Sequence, residues 1–335
     1  MILKKNLLIA ASILLFSSCK SDLLDINIDN VNVETKFTHL DSILFFTPSA
    51  ELPEARRKLN QTVQDIFDYQ IGYCMRIGKV EDSAFINSIT QYRQDPAIIK
   101  LENEIAKEFS NLENEKSNLI VGLRTLKAHL PDAKIPTQVV FQNTLFNSSA
   151  FCTENEIGIG LDQYLGKKSP TVQSLPPEPY YDWMKESFDR TYMERDAILS
   201  WIITHILPEV SGNLAEEMIF YGKALYITEA AFPTFEKNII MRYNKSDYKW
   251  ANDNEYSLWK YLVDENALFK TDERMLSNMV KEGPFTPGLP EKGPDRLGQF
   301  LGWKMVRNYM QKTKLSIQEL ITVPYNEILQ KYEPK

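Results

Sequence analysis

The stretch 216–233, EEMIFYGKALYITEAAFP, carries acids, a lysine and tyrosines within a pattern that is otherwise apolar. Carboxylates and amines are the groups that enzymes use as general acids, bases and nucleophiles. Glu216 and Glu217 fall in the first turns of the predicted helix, where acids offset the helix dipole. Because most of the helix surface is apolar, the helix is predicted to be buried. A charge buried on it, at Lys223 or Glu229, then needs a partner.

Other motifs that define catalytic or metal sites are missing from the sequence. The three histidines have no histidine or cysteine at ligand spacing, and the chain contains no H-E-x-x-H, C-x-x-C, G-x-S-x-G or Walker sequence. Gly158 and Gly160 begin a G-x-G, but Gln163 stands at the third glycine position of the dinucleotide motif. His129 and His205 lie before prolines at apolar helix ends, which favours structural roles. The sequence therefore predicts no metal and no cofactor.

The amino terminus has the layout of a lipoprotein signal. Lys4 and Lys5 precede the apolar run LLIAASILLF, which is followed by two serines and Cys19. The run is too short for a stable membrane span, which needs about 20 apolar residues, and it fits a secretory signal. Acylation of Cys19 would make it the first residue of the mature chain. The competing interpretation is a buried or disulfide-bonded cysteine after a chance apolar run.

Charge and cysteine content limit the classes of partner. The chain has a formal charge of −7, which becomes about −9 once Lys4 and Lys5 are removed with the signal. This acidity argues against nucleic acid and anionic lipid as ligands. Cys74 and Cys152 remain in the mature chain, and either one disulfide or two thiols is compatible with their spacing; we favour thiols.

Most of the chain has helical periodicity. Helices are predicted within 52–78, 83–131, 181–207, 215–231, 256–269, 295–310 and 316–321. Asp95-Pro96 marks a helix start, Asp295 is the expected N-cap of helix 295–310, and Ser316 with Glu319 forms a capping box. Gly222, Gly298 and Gly302 are expected to allow close helix packing.

Two extended runs, 134–143 and 155–166, predict a small antiparallel sheet. Loops rich in proline or glycine follow at 167–183 and 281–294. The predicted fold class is α+β, mostly α. The predicted organisation is a signal peptide at 1–18, a tether at 19–33 and a single α+β domain at 34–335.

Several stretches together resemble the gliding-motility lipoprotein GldB family of Bacteroidota. The resemblance begins at the lipoprotein signal and is strongest from about residue 135. It rests on IPTQVVFQNTLFNSSAF, IGIGLDQYLG, YGKALY, the loop GPFTPGLPEKGP and, above all, GPDRLGQFLGWKMVRNYM. The resemblance implies a non-enzymatic lipoprotein of gliding motility, anchored through Cys19 and facing the periplasm, commonly at the outer membrane. It also implies protein partners in the gliding or type IX secretion machinery.

The family is distantly similar to predicted zinc proteases, which implies a degenerate zincin-like arrangement. IGIGLDQYLG would be the edge strand, 216–231 the first site helix and 295–310 the later one. Tyr221, Gly222, Lys223 and Leu225 stand where metal ligands and base would be, and zinc needs about three His, Cys or carboxylate ligands. The resulting hypothesis is a metal-free cleft that binds a partner, lined by Asp162, Tyr164, Tyr221, Lys223 and Arg296.

Two alternatives remain. A hydrolase with an unrecognised carboxylate site would place two acids about 5–10 Å apart in one cleft. A glycan-binding outer-membrane lipoprotein would expose an aromatic platform, for which Tyr180, Tyr181 and Trp183 are the candidates.

Overall fold

The computed structural model describes residues 24–289 and 293–335. The signal peptide and Cys19 lie outside the described residues. Within these two ranges the chain forms helices around one small sheet, which confirms the predicted α+β, mostly α class. The helices are α1 Leu40–Phe46, α2 Leu52–Arg57, α3 Gln61–Tyr69, α4 Phe85–Tyr92, α5 Pro96–Glu108, α6 Glu113–His129, α7 Pro170–Ser174, α8 Asp182–Ser187, α9 Met193–His205, α10 Leu214–Ala231, α11 Lys237–Met241, α12 Lys245–Asp253, α13 Glu255–Asp264, α14 Glu273–Val280, α15 Leu297–Thr313, α16 Ile317–Thr322 and α17 Tyr325–Gln330.

The sheet is mixed. Its strands are β1 Lys36–His39, β2 Gln138–Gln142, β3 Ala150–Cys152 and β4 Glu156–Gly160, in the spatial order β1-β2-β4-β3. β2 pairs in parallel with both β1 and β4, and β3 pairs antiparallel with β4. The predicted antiparallel pairing of 134–143 with 155–166 is therefore wrong. The connection between these runs returns as β3, so β4 enters the sheet in the same direction as β2.

One face of the sheet is covered by the first four helices. Leu40, Phe67 and Ile89 belong to a separate hydrophobic cluster that includes Val140 of β2. The run 52–78 is broken into α2, α3 and a π-helical turn at Gln70–Cys74. The break occurs because the Asn60 side chain accepts a hydrogen bond from Val63 N at 2.9 Å and starts a new helix.

The main core holds the longer helices. α9 packs against β3 and β4, and α10 packs against α6, α9 and α15. Asp95 caps α5 and Ser316 with Glu319 forms the capping box of α16, as predicted. α15 departs from the prediction because its N-cap is Arg296, whereas the Asp295 side chain accepts from Gly283 N at 3.0 Å.

The segment before β1 lies against the domain. Leu24 is 3% exposed within the main hydrophobic cluster. Arg124 of α6 donates through Nε to Val31 O at 2.7 Å, and its guanidinium also binds Ile28 O. The described part of the predicted tether, from Leu24 onward, is therefore held on the folded domain.

Cys74 and Cys152 are both free thiols, as we favoured. Burial raises the pKa of Cys74 to about 11 and that of Cys152 to about 12, so both stay protonated near neutral pH. In the two described ranges, no helix has the length and apolar character that crossing a membrane requires.

Candidate binding cavity

A surface cavity of about 500 Å³ lies between α8, the start of α12 and the loop that joins α14 to α15. One of its walls contains Gly283, Pro284, Gly293 and Pro294, which belong to the Gly- and Pro-rich stretch predicted as a loop. Thr286 ties this wall together by donating to Pro294 O through its N–H at 3.0 Å and its Oγ1 at 2.8 Å. The cavity lining contains Arg242, Arg296, four carboxylates at Glu186, Asp247, Glu282 and Asp295, and four aromatic residues at Trp183, Tyr192, Tyr243 and Trp250.

The two arginines have unusual backbone conformations. Arg242 at the end of α11 has φ 56°, and Arg296 at the start of α15 has φ 51°, so both lie in the left-handed region. Such a conformation costs free energy in a residue other than glycine, and it occurs often at ligand sites. Arg296 Nη2 donates to Arg242 O at 3.0 Å. One strained residue thus holds the other, which fixes this side of the cavity.

Glu282 joins the two guanidinium groups. Its Oε1 accepts from Arg242 Nη1 at 2.5 Å and lies 3.7 Å from Arg296 Nη1. Partial burial works to raise the pKa of Glu282, but the charges of Arg242 and Arg296 outweigh it and lower the pKa. The Glu282 side chain remains 48% exposed. It therefore presents an ionised carboxylate whose position is set by buried cations.

A second layer of charge lies behind Arg242. Asp196 of α9 is 3.2 Å from Arg242 Nε, and it accepts from Arg195 Nη1 at 2.7 Å and from the Tyr164 hydroxyl at 3.0 Å. Burial, reinforced by Asp196, raises the pKa of Tyr164 well above its ordinary value, so the hydroxyl stays a donor. Tyr164, one of the predicted site residues, is thus linked to the cavity through Asp196 and Arg242.

The opposite wall is formed by α8 and α12. Asp247 is half-buried, and its pKa is raised by burial and then by the nearby charges of Asp295 and Glu186. Trp250, also on α12, packs against Gly293 so closely that a Cβ there would lie 2.4 Å from the indole ring. Trp183 of α8 is likewise half-buried. This wall therefore combines two indoles with carboxylates that repel each other.

Asp162 does not line this cavity. It is fully buried directly after β4, where its carboxylate accepts from Thr144 N at 2.7 Å and from Phe146 N. Burial raises the pKa of Asp162 to about 6, although these donors oppose the increase. Leu145 and Phe146 have positive φ values of 53° and 60°. Asp162 therefore holds a strained turn inside the protein.

Lys223 and Tyr221 also lie elsewhere. Lys223 lines a different cavity of about 280 Å³ and donates to Ile321 O at 3.1 Å and Val323 O at 2.6 Å, at the end of α16. Burial lowers the pKa of Lys223 to about 8. Tyr221 packs edge-on against Phe220, with ring centroids 5.3 Å apart. The hypothesis of one cleft lined by all five residues is therefore corrected, since only Arg296 lines the main cavity.

Glu229, the other charge noted on the buried helix, has several partners. It is completely buried and accepts from Trp303 Nε1 at 2.8 Å and Lys237 Nζ at 2.7 Å, and it also pairs with Arg307. The partners come from α15 and from the start of α11. Glu229 is therefore a structural anion that joins α10 to its neighbours.

The strand and helices assigned to the zincin-like arrangement also need correction. β4, within IGIGLDQYLG, is an interior strand, and the edge positions belong to β1 and β3. The helix that packs most extensively on β3 and β4 is α9, whereas α10 packs mainly on α15. Among residues 24–289 and 293–335, no three His, Cys, Asp or Glu side chains are grouped so that they could hold a metal ion.

The aromatic platform considered for glycan binding is not a single surface. Tyr180 packs edge-on against Phe146 at a centroid distance of 5.8 Å, Tyr181 is 48% exposed, and Trp183 lines the cavity. Sequence reasoning missed Arg242, Asp247, Trp250 and Glu282. These residues carry no recognisable motif and are brought together only by the tertiary structure.

Comparison with known protein families identifies a match over nearly the whole chain. The family model described as gliding motility protein GldB matches residues 21–334, nearly the whole chain. No curated protein and no solved structure matches the chain.

Proposed function

We propose, since the chain belongs to the gliding motility protein GldB family, that it is a membrane-anchored, non-enzymatic component of the gliding apparatus. The family identifies the chain as a lipoprotein related to gliding motility. We further propose that acylation of Cys19 anchors it facing the periplasm, at the outer membrane of a member of the Bacteroidota. There it would bind protein partners of the gliding or type IX secretion machinery and need no cofactor.

The observation that carries the binding role is the cavity held by Arg242 and Arg296. Two residues in strained left-handed conformations, joined by a hydrogen bond of 3.0 Å, hold Glu282 in place from behind. A strained arrangement persists only when the surrounding structure supports it, and strain of this kind concentrates at functional sites. The cavity is thus formed in advance of any partner, which reduces the ordering cost of binding.

A non-enzymatic role is supported by the engagement of the groups first considered for chemistry. Lys223 Nζ binds two main-chain carbonyls and Glu229 is neutralised by cations. His205 Nε2 lies 2.8 Å from Thr153 O, and His129 Nε2 lies 3.3 Å from Leu24 O. Each of these contacts gives the side chain a structural role and leaves it poorly placed to react with a substrate.

One observation favours a hydrolase as the second candidate. Within the cavity the pKa of Asp247 is raised, first by burial, whereas Glu282 is held ionised by two guanidinium groups. Carboxyls whose environments separate their pKa values can serve as general acid and base, as in glycoside hydrolases. Trp183 and Trp250 would offer stacking surfaces to a sugar.

The proposed function is tested by filling the cavity in living cells. Ser246 is exposed at the start of α12 and lines the cavity without joining the arginine network. We expect Ser246→Trp at the chromosomal locus to abolish colony spreading and single-cell gliding, with unchanged protein level and membrane fraction. Ser246→Ala, the matched control, should glide normally. Normal gliding of the Ser246→Trp cells would overturn the cavity's role in motility.

The hydrolase is distinguished by product release. Purified protein is incubated with cell-envelope polysaccharide and with peptidoglycan, and reducing ends are measured. Release that disappears in both Asp247→Asn and Glu282→Gln would replace the non-enzymatic proposal with the second candidate. We expect no release above the level of a heat-inactivated sample.

A further inference from the structure

We propose that the cavity beside Arg242 and Arg296 recognises a lysine or arginine side chain of a partner protein. This inference rests on the proposed function, because it names the chemistry by which the same cavity would select its partner.

The lining is acidic despite its two arginines. The lining holds four carboxylates, at Glu186, Asp247, Glu282 and Asp295, and two guanidinium groups, so its formal charge is −2. Glu282 and Asp295 are paired with the arginines, which leaves Glu186 and Asp247 as the excess negative charge. Oppositely charged partners are favoured at such a surface, and like-charged ones are repelled. An anionic ligand would therefore be repelled by the carboxylates of the lining.

The guanidinium groups are already engaged. Arg296 Nε donates to Asp295 Oδ2 at 3.0 Å, and Nη2 donates to Arg242 O. Arg242 lies between two acids: its Nε is 3.2 Å from Asp196 Oδ2, and its Nη1 is 2.5 Å from Glu282 Oε1. Both side chains are less than 10% exposed. Their role is to position carboxylates, so the acceptors presented to a ligand are those of the acids.

The protein itself shows how this site accommodates cations. The Arg242 guanidinium lies over the Tyr192 ring at 5.5 Å from its centroid, and that of Arg296 lies over the Tyr243 ring at 5.4 Å. The other two aromatic residues of the lining are Trp183 and Trp250. Indole rings attract cations more strongly than other aromatic side chains do. Indoles next to carboxylates form a suitable environment for a third cation.

The cavity lining brings like charges near one another. Burial and the repulsion of Asp295 and Glu186 raise the pKa of Asp247, against a hydrogen bond from Asn244 and the attraction of Arg296. A bound cation would relieve this repulsion and favour the ionised form of Asp247. Lysine and arginine also have long apolar stems that can pack along the indoles while the charged end reaches the carboxylates. A basic side chain on a protein surface satisfies both requirements.

The test uses the full mature protein in detergent and four blocked tripeptides: Gly-Lys-Gly, Gly-Arg-Gly, Gly-norleucine-Gly and Gly-Glu-Gly. Binding is measured by calorimetry and by tryptophan fluorescence. We expect the two basic peptides to bind at least about tenfold more tightly than the norleucine peptide, which has a similar stem without the charge. The glutamate peptide should not bind, and salt should weaken the basic peptides.

Variants locate the binding. The double change Glu186→Gln and Asp247→Asn keeps the shapes of both side chains and should weaken the basic peptides by about tenfold or more. Asp253→Asn removes one carboxylate from the same helix at a surface position paired with Lys249; it is the control for loss of negative charge outside the cavity and should have no effect. Equal binding of the norleucine or glutamate peptide, insensitivity to the double change, or displacement of the peptides by envelope oligosaccharide would overturn the inference.

The two proposals fail separately. If Ser246→Trp stops gliding but no basic peptide binds, the cavity acts in motility and its ligand chemistry is different. If basic peptides bind at the cavity but Ser246→Trp cells glide normally, the ligand chemistry holds and the role in motility is lost.

Discussion

Gly222 of α10 and Gly302 of α15 meet backbone to backbone, so that a Cβ on Gly222 would lie 2.3 Å from the Gly302 carbonyl carbon. A Cβ on Gly302 would lie 1.7 Å from Met218 O. The clash would be with main chain, which no side-chain rotation can relieve. We expect Gly302→Ala to force the two helices apart and to lower the free energy of unfolding by roughly 1–3 kcal/mol or more. Urea denaturation of the purified protein measures this.

Gly72→Ala provides the control for this glycine prediction. A Cβ at Gly72 would meet only Gly78 O, at 3.7 Å, which is ordinary contact. Alanine also has higher helix propensity than glycine. The Gly72→Ala protein should be as stable as the original or slightly more stable. Equal losses at both positions would contradict close packing as the cause.

The buried carboxylate of Glu229 should be among the most sensitive polar positions. Glu229→Gln leaves Lys237 and Arg307 without their shared anion while retaining an acceptor for Trp303. Removing one partner of a buried charge network costs about 3–5 kcal/mol. The same denaturation experiment should show a loss of this order. Asp253→Asn, which breaks an exposed pair with Lys249, should cost about 0.5 kcal/mol or less.

Glu102 of α5 gives a pH-dependent prediction. It is 8% exposed and accepts from Asn143 Nδ2 at 2.9 Å. Burial raises its pKa from 4.5 to about 7, although the hydrogen bond from Asn143 opposes the increase. Between these two pH values the folded protein keeps a proton that the unfolded chain releases. Stability from Glu102 is therefore present below pH 4.5 and is lost as the pH rises through about 7.

Glu102→Gln should remove this loss. We expect the variant to be more stable than the original by about 1–3 kcal/mol at pH 8, with no gain at pH 4. Denaturation midpoints at several pH values between 4 and 8 measure the effect. A gain that does not change with pH would indicate better packing rather than a proton held by Glu102.

Anchoring is tested at Cys19. Cys19→Ser removes the thiol that would be acylated. We expect it to abolish incorporation of labelled palmitate and to move the protein from the membrane fraction to the soluble fraction. Cys74→Ser, at a buried free thiol, is the control and should leave labelling intact. Labelling that persists in the Cys19→Ser protein would exclude this residue as the acylation site.

Local features of the fold could be read from the sequence, whereas contacts made over long distances could not. Asp95 and Ser316 cap helices through residues two or three positions away, and both were predicted. Asp295 was expected to act in the same way, but its carboxylate binds Gly283 N across a loop. The parallel pairing of β2 with β4 depends on β3 turning back between them, which periodicity alone does not indicate.

The candidate site shows the same limit. Arg296 was assigned to a cleft by analogy with the zincin-like arrangement alone, and it lines the cavity beside partners that the analogy did not indicate. Arg242 and Glu282 were missed, since each stands in an ordinary polar stretch and gains its role only by meeting the other at 2.5 Å. Lys223 was expected to need a partner as a buried charge, whereas Asp162 was named only as a residue of the cleft. Both are satisfied by the protein's own main chain.

If Cys19 is acylated, the docking of Leu24 onto the domain limits the distance between the protein and the membrane. From Cys19 to Leu24 the chain advances five residues, which at full extension span at most about 18 Å. A lipoprotein acylated at Cys19 would then lie close to the membrane surface. The part of the domain around Leu24 and Arg124 would face the membrane. A partner would encounter a domain whose distance from the membrane and orientation are restricted, and which diffuses only in the plane of the membrane. The short segment between Cys19 and Leu24 would therefore restrict which complexes can form, in addition to the cavity.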